Sequence, residues 1–176
     1  MFRSLLLSVV VGCATIVTSP PDNALEKELD RLHIPATLVP KDKHPLLMVR
    51  AEGTQNYAAE EKDGKLQWGA ASPQATLFDY QTGEECGSHS KGPTWEFGDG
   101  SKLTGTLLAK EPAANPSAIP WLLISVKGES KGRLANMTNV QRVDTWGGQP
   151  PTAAPSSAKD TKQVRYEATY VFWGDK

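Results

Sequence analysis

Gln163-Val164-Arg165-Tyr166-Glu167-Ala168-Thr169-Tyr170-Val171-Phe172-Trp173 closes the chain, and its reading decides the fold. Val164, Tyr166, Ala168, Tyr170 and Phe172 fall on one side of a period of two, with Arg165, Glu167 and Thr169 on the other. Side chains of an extended backbone alternate between faces, so this pattern predicts a β-strand with one face in the core. Working back toward the N-terminus, short apolar runs recur between turn signals. Arg133 to Thr145 reads as a longer, bent strand, and Trp121 to Val126 as a buried one. Lys102 to Ala109 and Thr94 to Phe97 flank Gly98-Asp99-Gly100-Ser101, and Leu66 to Trp68 returns from Lys62-Asp63-Gly64-Lys65. Asp-Gly favours the positive φ of tight hairpin turns. Gln74 to Tyr80, Gln55 to Glu60 and Leu46 to Ala51 complete the set. Lys110 to Pro120 reads as a loop, and Gly147 to Asp160 as an exposed mobile one. Roughly nine strands at hairpin spacing predict an all-β, single-domain antiparallel β-barrel or β-sandwich.

Composition agrees. The 176 residues carry 13 Pro and 15 Gly, suited to many turns, and 5 Trp, which anchor a packed core. With 19 basic and 20 acidic residues, the net charge of -1 provides no field for nucleic acid.

The N-terminus predicts export. Arg3 precedes the apolar run Ser4 to Val11, which is too short to span a bilayer and suits a signal peptide. Val10-Val11-Gly12-Cys13 resembles the bacterial lipobox, in which Cys becomes the first mature residue and carries lipid. Ordinary cleavage after Ala14 is the alternative. In a lipoprotein, Ala14 in place of Asp favours the outer membrane over inner-membrane retention. The expected organisation is a signal peptide over 1–12, the anchor Cys13 with a tether and short helix over 13–34, and one β domain over 35–176. The helix is expected from Asn23 to His33, with Leu25, Leu29 and Leu32 on one face, Asn23 and Glu26 as a cap, and Pro35 as the stop. Either processing route leaves Cys86 a free thiol without a partner in the chain.

Several stretches in order carry a family resemblance. They are Gly53-Thr54-Gln55-Asn56-Tyr57, then His89, Gly92-Pro93-Thr94-Trp95-Glu96 and Asp99-Gly100-Ser101. Ala118-Ile119-Pro120-Trp121, Gln141-Arg142-Val143, Gly147-Gly148 and the terminal strand follow. From Pro35 to Trp173 the chain resembles the family catalogued as domain of unknown function 3455. That resemblance implies an exported β-rich protein and supplies no activity. It also implies that a disulfide used by relatives is missing, because Ala59 and Ala153 or Ala154 stand where those relatives carry Cys.

The candidates for chemistry are few. His89 with Glu96 and Asp99 offers an imidazole and two carboxylates for acid–base work. Asp99 also suits its turn for backbone reasons, and Glu96 neighbours Trp95 on the opposite face of a strand. Arg142, if directed into the fold, could hold a carboxylate or phosphate through its guanidinium fork. Trp95 and Trp146 are aromatic candidates for ligand contact. Trp121 and Trp95 read as core, and Trp146, beside Gly147-Gly148, as the exposed ring. No C-x-x-C, H-E-x-x-H or phosphate-binding glycine loop is present, so no metal or cofactor is implied. Asn136-Met137-Thr138 matches a glycosylation sequon, of consequence only in a eukaryote. The expected function is a non-catalytic binding or structural module of the cell envelope. It would meet the membrane through Cys13, and an envelope polymer, a protein or a small apolar ligand through its fold. The alternatives are a carrier with an interior cavity and, behind it, an enzyme built on His89.

Overall fold

The computed structural model describes residues 23–128 and 131–175. The expected signal peptide, Cys13 and tether lie outside the described residues. Helix α1 spans Asn23–Arg31, and the strands are β1 His44–Lys62, β2 Lys65–Trp68, β3 Ser72–Asp79, β4 Glu85–Ser90 and β5 Thr94–Phe97. They continue as β6 Lys102–Glu111, β7 Trp121–Gly128, β8 Met137–Gly147 and β9 Thr161–Gly174. Short 3₁₀ turns cover Ala36–Leu38 and Gly132–Leu134.

All nine strands form one antiparallel sheet in the order β2-β1-β3-β4-β5-β6-β7-β8-β9, and β1 also pairs with β9. That extra pairing closes β1 and β3 through β9 into a ring, so no edge is exposed along it. The length of β1 makes closure possible. Val49 to Asn56 pair with β3 on one side, His44 to Ala58 pair with β9 on the other, and Ala59 to Lys62 extend beyond the ring to pair with β2.

The count of nine agrees with the sequence reading through two differences that offset each other, and the strand expected from Arg133 begins only at Met137 because Gly132–Leu134 form a 3₁₀ turn. Gly53 looks like a break between two strands, yet β1 runs straight through it. A Cβ on Gly53 would lie 2.1 Å from the Gln74 carbonyl, so glycine here permits close approach of β1 to β3. Conversely, Glu85-Cys86-Gly87-Ser88-His89-Ser90 has no apolar period and still forms β4, paired to β3 and β5 along its length. Around the Asp63-Gly64 turn both residues take positive φ, 52° and 71°, as expected of a tight hairpin.

Two apolar clusters lie on opposite sides of the sheet. Inside the ring, Val49, Leu77, Trp95, Phe97, Leu103, Val140, Tyr170 and Phe172 pack together. Trp95 sits at the centre, edge-on to Tyr170 at 5.6 Å and to Phe172 at 6.1 Å. Gly105 makes room for it, because a Cβ there would meet Ile124 at 2.4 Å and the Trp95 ring at 3.3 Å. On the outer face, Leu25 and Leu29 of α1, with Leu38 of the following turn, cover Trp121, Val143, Val171 and Trp173. The terminal strand is therefore buried on both faces over its second half, which explains why Val171 and Trp173 are apolar as well as Tyr170 and Phe172. One end of the ring is plugged by the 3₁₀ turn whose Leu134 joins the inner cluster. Arg133 holds that plug in place. Its side chain pairs with Asp79 and lies over the Phe97 ring, and its backbone N–H donates to Asp99 at 2.6 Å.

The loop after β8 is not the loose segment its composition suggests. The Tyr57 hydroxyl donates to the Gly148 carbonyl at 2.6 Å, and Gln149 donates to the Ala118 carbonyl. Trp68 Nε1 donates to the Ala153 carbonyl at 2.9 Å. The Asp160 carboxylate accepts from the Ser156 N–H and hydroxyl and the Ser157 N–H, folding the return into a compact turn.

Candidate functional site

The open end of the ring, opposite the Arg133 plug, holds a pocket of about 370 Å³. Its position follows from strand register. Arg142 of β8 faces Tyr170 of β9 and Leu122 of β7, and His89 of β4 faces Ala75 of β3 and Trp95 of β5. These residues are in the inward-pointing set, and Tyr170 and His89 pack directly against Trp95 of the aromatic layer. Gln55 and Tyr57 of β1 complete the polar wall, and Ile119, Leu122, Ile124 and Leu107 form the apolar one.

Arg142 is the single full charge among the lining residues. Its Nε and Nη2 both donate to the Pro120 carbonyl, at 3.2 and 2.8 Å, which fixes the guanidinium. Among the described residues no carboxylate lies within ion-pair distance of it. Close to it, the Tyr166 and Tyr170 hydroxyls interact with each other and Tyr170 also with Arg142, while the Gln55 amide nitrogen is enclosed without a hydrogen-bond partner among the described residues. An unpaired polar group in a low-dielectric interior is costly, which marks the Gln55 amide beside the pocket. Burial pushes the phenols of Tyr57, Tyr166 and Tyr170 up, and the Arg142 charge opposes that rise at all three, so they remain neutral hydroxyls.

His89 is almost fully buried and stacks on Trp95 with ring centroids 4.8 Å apart. Its Nδ1 lies 2.9 Å from the Thr94 carbonyl, an acceptor, so Nδ1 carries the proton and Nε2 is the ring's acceptor. Burial lowers its pKa to about 4, the Thr94 bond opposes this, and Arg142 adds to it. His89 is thus a neutral member of the pocket wall.

The structure does not bring the acid–base candidates together. Glu96 pairs with Ser88 in register, on the face opposite His89, and bridges Lys102 at the surface. Asp99 belongs to the plugged end. Its carboxyl is held at about 2 by the Ser101 hydroxyl, the Ser101 N–H and the Arg133 N–H. Trp95 is wholly enclosed and forms the pocket's support rather than its surface, whereas the Trp146 ring is 55 % exposed on the outside. Cys86 is a free, half-buried thiol whose pKa is raised chiefly by burial, which leaves it a poor nucleophile. Contrary to a reading that finds no nucleophile elbow in the sequence, Gly128-Glu129-Ser130-Lys131-Gly132 has the spacing of one. That motif needs a strand-to-α-helix turn, and here a strand of an antiparallel sheet precedes it and a 3₁₀ turn lies at its end. Glu129 and Ser130 lie outside the described residues. Among the described residues no group of three or more His, Cys, Asp or Glu could hold a metal ion, and no helix is long and apolar enough to cross a membrane.

Of the pocket residues, Arg142 is the one the sequence reading selected for ligand contact that lies in the wall. Gln55, Tyr57 and Tyr170 were passed over, since a Gln, two Tyr and an Arg scattered along the chain carry no spacing signal. Fold and site define an all-β protein with a closed ring and one polar-lined end. The chain belongs to the family described as Protein of unknown function (DUF3455), whose model matches residues 40–174. No curated protein and no solved structure matches it.

Proposed function

We propose that this protein is an exported, non-catalytic binding protein that holds a small ligand in the open end of its strand ring. Arg142 carries this reading: a fixed guanidinium in a half-open pocket, without a carboxylate partner among the described residues and beside Gln55 and Tyr170. Pockets of a few hundred Å³ with an apolar wall and few polar groups are typical small-molecule sites. The separation of His89 from Glu96 and Asp99 removes the support for acid–base catalysis by that group. Export rests on Arg3, the Ser4–Val11 run and the lipobox ending in Cys13. Acylation there would tether the ring to a membrane, at ~0.8 kcal/mol for each buried methylene.

A second reading, a surface that docks an envelope polymer or protein, has one observation in its favour: Trp146, Leu107 and Leu108 are more than half exposed. Mass spectrometry of protein purified from its own cells separates the two. A native mass above the denatured mass, lost in Arg142→Met, is the expected result. A bare native mass would count against the pocket and favour the surface. The denatured mass also reads Cys13: an acylated N-terminal Cys is expected, and cleavage after Ala14 without lipid would remove the tether.

A further inference from the structure

We infer that the pocket selects a small monocarboxylic acid with an apolar body, an inference that rests on the binding reading above and names its ligand class. Two of the five N–H donors of Arg142 serve Pro120, and they lie on the Nε side of the guanidinium. The terminal Nη1–Nη2 edge therefore keeps a fork matched to two oxygens of one group. Gln55 and Tyr170 line the same wall beside that edge.

The charge balance discriminates between anions. A phosphate dianion calls for more than one cation, and Arg142 is the single charge in the wall. His89 supplies no second cation, because its Nδ1 proton is committed to the Thr94 carbonyl and its other ring nitrogen is an acceptor. A carboxylate brings one negative charge and a planar pair of oxygens, which suits one guanidinium. The opposite wall, Leu107, Ile119, Leu122 and Ile124, has nothing to offer a polar body. At ~30 Å³ for each non-hydrogen atom, the pocket holds on the order of ten such atoms.

Isothermal titration of the mature protein with phenylacetate, octanoate, phenylacetamide and inorganic phosphate tests this. Both acids are expected to bind, and phenylacetate roughly tenfold to a hundredfold tighter than its neutral amide, the range for a hydrogen bond to a charged group. Arg142→Met is expected to bring acid and amide to the same affinity. Should that variant fail to fold by near-ultraviolet circular dichroism, Arg142→Lys keeps the charge without the fork, and is expected to lose at least part of the preference. Equal binding of acid and amide by the unaltered protein, or a preference for phosphate, would overturn the inference while leaving a ligand-binding pocket. Failure of both acids would overturn it as well, and failure of all probes together with a bare native mass would remove the binding reading itself.

Discussion

His89 shows how burial, not residue type, decides what a side chain contributes. An imidazole near two carboxylates in sequence suggests chemistry, but the strand turns His89 inward and Glu96 outward, and the enclosed ring is held neutral. This has a consequence for stability. The unfolded imidazole titrates near 6.5 and the folded one near 4, so between those values the unfolded chain binds more protons and acid favours unfolding. The contribution of His89 is present in full above pH 6.5 and is lost as pH falls toward 4. At ~1.4 kcal/mol per pKa unit it amounts to about 3 kcal/mol. Urea unfolding at pH 7.5, 6 and 4.5 should show a steeper loss for the unaltered protein than for His89→Gln, in which the titrating group is gone. Parallel curves would mean that the imidazole gains its proton in the folded state without penalty.

At the scale of elements, the sequence was most legible where both faces of a strand had a clear job. The Tyr166 to Phe172 alternation marks an inner face, and the structure buries each of those residues at even spacing. Legibility failed where backbone contact replaced side-chain pattern. β4 is polar because its outward face meets water and its inward positions are Gly87 and His89, small or aromatic to fit around Phe97 and Trp95. Gly53 reads as punctuation, yet it serves packing. Gly53→Ala should force β1 and β3 apart, costing on the order of 1–3 kcal/mol. A lowered urea midpoint would show it, and an unchanged midpoint would mean that the two strands separate without cost. Gly147 to Asp160 is the exposed loop expected, but its ties are not legible, for a related reason. Gly, Pro, Ala and Ser describe a loop without saying what ties it down, and its anchors, Tyr57 and Trp68, are far upstream. Trp68 pairs with Ala59 in register and reaches Ala153, so its indole links the same segments that the family resemblance joins by a disulfide. Trp68→Phe keeps the ring and loses the donor. A loss of about 1 kcal/mol is expected, with faster amide exchange confined to the loop. Exchange that rises across the whole sheet instead would place Trp68 in the core rather than at a tie.

For the whole molecule, the family match and the folded unit have different limits. The match begins at residue 40, but the outer-face cluster takes Leu25 and Leu29 from α1 and Leu38 from the turn after it. Without them Trp121, Val171 and Trp173 would face water on the outer side of the sheet. α1 in turn is too short to be stable unless docked, so helix and sheet depend on each other. Fully burying a leucine contributes roughly 1.5–3 kcal/mol, and single domains have only about 5–15 kcal/mol of net stability. A chain beginning at Pro40 should therefore lose a large part of its stability and expose an apolar patch, although every strand of the ring remains. The inner pocket is on the other side of the sheet from α1, so the milder Leu29→Ala should lower the melting temperature while leaving ligand affinity in the pocket within about twofold, as expected for sites without shared partners. Melting and titration of the same variant decide the point. A parallel loss of affinity would show that the outer cluster sets the register of β8 and β9, and through it the placement of Arg142 and Tyr170.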